Sequence, residues 1–183
     1  MRYPSNMVIP RFLQPGGRVT VLAPSGRVDS RRLAEGVRYL RGRGHETTLA
    51  PNVLRRHGYL AGDDETRAAD FNEAVTSGDS DAIFLARGGY GLTRILDRID
   101  LEALRHRPRL LLGYSDATAL FMALQRKGPY LTHYGPTVSE MGDPDAFDEK
   151  SLWGALYGEP SAFRIPFRAA DVLRPGRGAA RVI

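Results

Sequence analysis

A doubly wound α/β sheet is the fold this sequence predicts, and three observations predict it. Short apolar runs alternate with segments of helical periodicity over roughly the first 140 residues. The runs are continuously apolar, as in strands buried on both faces of a parallel sheet. Each run ends in Gly, Pro or a small polar residue, the punctuation expected where a strand gives way to a crossover helix. Right-handed crossovers then give a Rossmann-like or flavodoxin-like, mainly parallel sheet with helices on both faces.

The elements follow in order. After an irregular start, Arg18 to Ala23 reads as a strand broken by Pro24-Ser25-Gly26. Ser30 suits the cap of a helix whose Leu33, Val37 and Leu40 share one face, and Gly42 and Gly44 end it. Glu46 to Ala50 is a short second strand. Asp63 or Asp64 opens a second helix with Phe71 and Val75 inward, stopped at Gly78-Asp79. Asp81 to Ala86 is the third strand, followed by Arg87-Gly88-Gly89-Tyr90-Gly91 and a short helix carrying Leu92, Ile95, Leu96 and Ile99. Arg109 to Gly113 is the fourth strand, Ala117 to Arg126 a helix, and Tyr130 to Tyr134 the fifth strand. Beyond residue 142 the texture changes to a turn cluster, a helix over 148–157 and a tail in which Phe163, Ile165 and Phe167 alternate. The expected division is therefore an α/β domain over 1–145 and an extension or linker over 146–183.

Composition narrows the class. Of 26 basic residues only Lys127 and Lys150 are lysines, and the net charge is +5. The arginines are scattered among acids from end to end, so the charge lacks the clustering with aromatics that marks a nucleic-acid binder. Cysteine is absent, which excludes disulfides, thiolate catalysis and Cys-based metal sites. His45, His57 and His106 sit in polar or basic stretches and read as surface, and no His/Asp/Glu group has metal-ligand spacing. No apolar run is long enough to cross a bilayer, and the first residues show no apolar signal region, so a cytoplasmic protein free of membrane partners is expected.

In an open parallel sheet, ligands bind beyond the carboxyl ends of the strands. Four segments fall there: residues 23–26, 87–91, 113–118 and 132–136. Gly113-Tyr114-Ser115-Asp116-Ala117-Thr118 joins a strand directly to a helix, and a Ser at such a turn lifts its hydroxyl above the sheet edge beside the free N–H groups of the helix start. Ala117 stands where the nucleophile-elbow motif has its second Gly, and a simple helix N-cap is the competing role for Ser115. The paired glycines Gly88 and Gly89 can present N–H groups to a negative centre, as half of an oxyanion hole with the Asp116 amide, or form an ordinary turn. His133 is the His placed at a strand's carboxyl end, suited to orient substrate or to sit as a satisfied hydrogen-bonding residue.

Taken together and in order, Val19 to Gly26, Arg87 to Gly91, Gly113 to Thr118 and His133-Tyr134-Gly135-Pro136 resemble the LD-carboxypeptidases, the muramoyltetrapeptide carboxypeptidases that include microcin C immunity peptidases. Asp64 to Ala74 fits as well. The resemblance implies a serine peptidase with Ser115 as nucleophile, amides of Gly88 or Gly89 and Asp116 as oxyanion donors, and Ser25, Arg87, Tyr90 and His133 about the substrate. It implies a murein-derived tetrapeptide cut before its terminal D-Ala during cell-wall recycling, no metal or cofactor, and a homodimer. The family's triad Glu and His lie in a carboxyl-terminal domain expected beyond Ile183, so these residues alone are expected to be nearly inactive. The family usually reads His-Gly-Pro where Tyr134 intervenes here. A microcin-immunity-type peptidase cutting an aminoacyl-nucleotide and a non-catalytic α/β ligand-binding module are the other readings.

Overall fold

The computed structural model describes residues 6–143 and 145–159. The expected Phe163-Ile165-Phe167 alternation lies outside these residues. Five parallel strands form one sheet in the order β2-β1-β3-β4-β5. They are β1 (Arg18–Leu22), β2 (Glu46–Leu49), β3 (Ala82–Leu85), β4 (Leu110–Gly113) and β5 (His133–Tyr134). This is the flavodoxin-like doubly wound order, whose switch point lies between β1 and β3.

Strand alternation shows why the runs are apolar throughout. Val19, Val21, Phe84, Leu110 and Leu112 pack into one buried cluster, with Leu33, Val37 and Leu40 of α1 (Ser30–Gly42) and Leu152, Trp153 and Leu156 of α5 (Glu149–Tyr157). Leu22, Ile83, Leu85 and Leu111 point the other way. They meet Phe71 and Val75 of α2 (Asp64–Thr76), Leu104 of α3 (Leu101–His106), and Leu120 and Leu124 of α4 (Ala117–Arg126). Through Leu152, Trp153 and Leu156, α5, which follows residue 145, packs onto the same face of the sheet as α1.

Aspartates start four of the helices. Asp29, Asp63, Asp100 and Asp148 each accept a backbone N–H one turn ahead, at 2.9, 2.7, 2.8 and 2.6 Å. Asp29, not Ser30, is thus the cap of α1. The same aspartate logic moves the helix expected over 92–99. Leu92–Arg94 forms only a 3-10 turn, and Asp100 nucleates α3 at Leu101, a helix not foreseen. Ile95 and Ile99 are buried without being helical. β5 is shorter than expected, since Tyr130 leaves the strand to bridge Val8.

His45 is a second correction. It is 2% exposed, not a surface residue, because α5 folds back over it. Trp153 stacks on its ring at 5.0 Å, its Nδ1–H donates to the Gly17 carbonyl at 3.1 Å, and the Tyr157 hydroxyl donates to Nε2 at 3.0 Å. Burial holds this imidazole neutral, below its ordinary pKa.

Candidate active site

The carboxyl ends of the strands converge on one cleft of about 430 Å³, lined by Ser115, Gly88, Gly89 and Arg87, the first turn of α1, and residues of the 137–140 turn. The loops after β1 and β3 are tied directly, Gly26 N–H donating to the Gly88 carbonyl at 3.1 Å. The cleft therefore opens beside the switch point, where a doubly wound sheet takes its ligand.

Ser115 is exposed at the turn from β4 into α4. Its φ of 61° makes it the one non-glycine residue in the left-handed region among those described. A Ser in that conformation carries strain of about 1–3 kcal/mol, which surrounding structure must hold in place. Several contacts do so. Ala117 is wholly buried behind it, Thr118 N–H donates to its carbonyl at 3.0 Å, and its own N–H meets the Tyr134 hydroxyl at 3.4 Å. The geometry is that of a strand–turn–helix elbow rather than a plain N-cap, since the cap position falls on Asp116.

Gly88 packs against this elbow. A Cβ at Gly88 would stand 3.0 Å from Ser115 Cβ and 3.2 Å from its Oγ, so any side chain there would press on the elbow. Gly89, at φ 108°, turns the chain away immediately after. The amides of Gly88, Gly89 and Asp116 donate to no acceptor among the described residues. Asp116 uses its carboxylate elsewhere, accepting the Leu92 N–H at 2.8 Å and joining the elbow to the end of the glycine loop.

The other expected site residues part company. Arg87 lines the cleft, anchored by Nη1 donating to the Arg27 carbonyl at 2.6 Å. Tyr90 lies outside it, half exposed against Tyr59 at 6.1 Å. Ser25 is fully buried beneath the Gly26–Gly88 contact, with a hydroxyl that meets no partner among the described residues, and it cannot touch a ligand in this state. His133 lines a separate, more apolar cavity with Leu112, Phe147 and Leu156. Burial pushes its pKa down to about 4, so it is neutral there. Strand period separates the two neighbours: His133 pairs beside Leu112, and Tyr134, beside Gly113, is the side chain that reaches the elbow.

Residues 19–135 match the family model described as the LD-carboxypeptidase N-terminal domain. The chain belongs to the LD-carboxypeptidase family. It is 39% identical over 176 residues to a Streptomyces coelicolor protein named as a carboxypeptidase, covering 93% of this chain and 56% of that one. The muramoyltetrapeptide carboxypeptidase from Oxalobacter formigenes superposes with a TM-score of 0.67 at 31% identity, over 75% of this chain and 47% of that one. The microcin C7 self-immunity protein MccF in complex with aspartyl sulfamoyl adenosine does so with 0.75 at 25%, over 84% and 47%. The chain spans about half the length of the curated relatives it matches.

One feature of this LD-carboxypeptidase domain escaped the sequence reading of the site. Arg67, 1% exposed, donates through Nη1 to the carbonyls of Pro24 and, at 3.0 Å, Gly91, and through Nη2 to Asp64. It thereby clamps the loops after β1 and β3 from within α2. Its spacing four residues before Phe71, on the inward face, is the sequence signal for it. Glu140 lines the cleft beside Ser115. Its carboxylate accepts from the Tyr114 hydroxyl at 2.6 Å and from Thr137 N–H and Oγ1 at 2.9 and 2.8 Å. Thr137-x-x-Glu140 is a readable capping box, and it fixes one wall of the cleft. Among the described residues no group of three or more His, Asp or Glu is placed to hold a metal, and no helix is long and apolar enough to cross a membrane.

Proposed function

We propose that this domain carries the nucleophile of a serine LD-carboxypeptidase that releases a terminal D-amino acid from a murein-derived peptide. The observation that carries the reading is the strained, exposed Ser115 elbow packed against Gly88. A peptidase needs a hydroxyl held clear of the sheet beside unengaged backbone donors, and strain of this kind is tolerated at sites where it serves function. In the proposed reaction Ser115 Oγ adds to the scissile carbonyl as its proton passes to a base. The oxyanion is received by the amides of Gly88 or Gly89 and Asp116, the amine leaves with a proton, and water releases the acyl group.

The base is assigned to the part of the relatives that this chain does not span. Among the described residues, the groups lining the cleft include no histidine, and the carboxylates of Asp29 and Glu140 are held in their own hydrogen bonds. His133 faces the neighbouring cavity instead. The cytoplasmic, cell-wall-recycling role and a homodimeric assembly belong to the same proposal.

Labelling by a fluorophosphonate in the full-length protein tests it, with peptide mapping of the adduct. Modification at Ser115, together with release of D-Ala from murein tetrapeptide and a loss of at least about 10⁴-fold in Ser115→Ala, is the expected result. An unlabelled Ser115 and an unaltered Ser115→Ala variant would end it in favour of a ligand-binding module. A second reading rests on the likeness to MccF with its bound aspartyl sulfamoyl adenosine. Cleavage of an aminoacyl-sulfamoyl nucleotide in preference to tetrapeptide would select it.

A further inference from the structure

We propose that Arg32 and Arg87 form the subsite for the free carboxylate of the residue leaving the Ser115 site. The proposal rests on the serine-peptidase reading and adds the group that makes the enzyme a carboxypeptidase. Both arginines line the same cleft as Ser115, one from the first turn of α1 and the other from the end of β3. In a substrate cut before its last residue, the carboxylate follows the attacked carbonyl by a single residue, roughly 4 Å along the chain. Its binding groups must therefore share the nucleophile's cleft.

The hydrogen-bonding state of the lining selects these two side chains. The cleft holds two acids and two arginines among its charged groups. Asp29 is committed to capping α1 through the Arg32 N–H, and Glu140 has its oxygens on Tyr114 and Thr137. The Arg32 guanidinium, by contrast, engages no acceptor among the described residues, and exposed Arg87 engages only the Arg27 carbonyl. That single contact restrains Arg87 while leaving other N–H donors of a planar fork, the geometry that receives a carboxylate. A phosphate or sulfamoyl oxygen has related acceptor chemistry, so the test must separate the two.

The experiment uses the full-length protein and two peptides, an LD-tetrapeptide with a free terminal carboxylate and the same peptide as its terminal amide. Wild type is expected to prefer the acid by about 100-fold in kcat/KM, the scale of a charge-assisted hydrogen-bonded pair. Arg87→Gln and Arg32→Gln should each lower kcat/KM on the acid far more than on the amide, and Arg87→Lys should keep part of the preference. Ser115 labelling in each variant reports whether the nucleophile survives. Labelled variants that keep the full acid preference, or a wild type that cuts both peptides equally, overturn the subsite and leave the peptidase reading standing. Arginine-dependent cleavage of an aminoacyl-sulfamoyl nucleotide with no cleavage of the tetrapeptide overturns the carboxylate assignment. No labelling and no cleavage by wild type removes both proposals.

Discussion

Ser25 and Ser115 occupy matching places in the chain, each in the turn that follows an apolar strand and precedes a helix on the same edge of the sheet. Their states are opposite. Ser25 is 0% exposed with a silent hydroxyl, whereas Ser115 stands in the cleft in a left-handed backbone. Local sequence does not separate them. Both meet the glycine loop after β3, whose Gly88 carbonyl accepts the N–H of Gly26, next to buried Ser25, and whose Gly88 packs beside exposed Ser115. One loop thus borders a serine that is part of the packing and a serine that faces the cleft.

Perturbing that loop is expected to have the largest effect. Gly88→Ala places a methyl 3.0 Å from Ser115 Cβ, so the elbow or the loop must shift. A full ångström of misplacement at a reacting group costs about 100-fold, so on the proposed function a shift of a few tenths should lower kcat/KM for D-Ala release by up to about that much. A Gly88→Ala enzyme with wild-type kcat/KM would break the comparison, because the loop would then not set the geometry of Ser115.

Removing the clamp beneath the loop comes next. Arg67→Met deletes the donor shared by the Pro24 and Gly91 carbonyls and strips Asp64 of one partner, although Arg94 still holds that carboxylate at 2.8 Å. The Gly91 carbonyl keeps the Arg94 N–H at 3.1 Å, but the Pro24 carbonyl is left unpaired, and an unpaired buried acceptor costs about 1–3 kcal/mol. Urea denaturation should show a loss in that range, and an unchanged midpoint would show that the clamp is dispensable.

Much of this was legible before any coordinates. The four carboxyl-end segments follow from parallel strands and right-handed crossovers, and Ser115 is marked by an apolar strand running into an apolar-faced helix. The rest depended on facts a chain does not display. Among 24 arginines Arg67 is marked only by its inward spacing from Phe71, and nothing beside Arg32 in the chain tells that this exposed side chain faces the cleft. His45 read as surface because its cover, α5, arrives 108 residues later at Trp153. In a strand one residue is the opposite face, so His133 turns to the neighbouring cavity while Tyr134 meets the elbow, a difference that the pattern His133-Tyr134-Gly135-Pro136 does not display.

His133 supplies a pH test of the packed side of the comparison. Its folded pKa is about 4, below the ordinary value of 6.5, because burial disfavours the imidazolium. Between those two pH values the unfolded chain binds a proton that the folded chain does not. Stability therefore falls as pH drops through 6.5 and the loss levels off below about 4. His45 is shifted in the same direction by burial and adds to the slope. Thermal melts should show Tm declining on acidification, with a shallower decline in His133→Gln; an identical decline would mean that His133 titrates alike in both states.

The smallest effect is expected at Ser25. A buried hydroxyl with no partner among the described residues contributes desolvation cost and no hydrogen bond, so Ser25→Ala should change stability by no more than about 1 kcal/mol in either direction. It should also leave the fluorophosphonate labelling of Ser115 at the wild-type rate, because the hydroxyl is wholly buried and contributes nothing to the cleft lining. Slowed labelling in Ser25→Ala would show that the loop transmits the packing around Ser25 to Ser115. The two serines would then be coupled through Gly26 and Gly88, not merely partitioned by them.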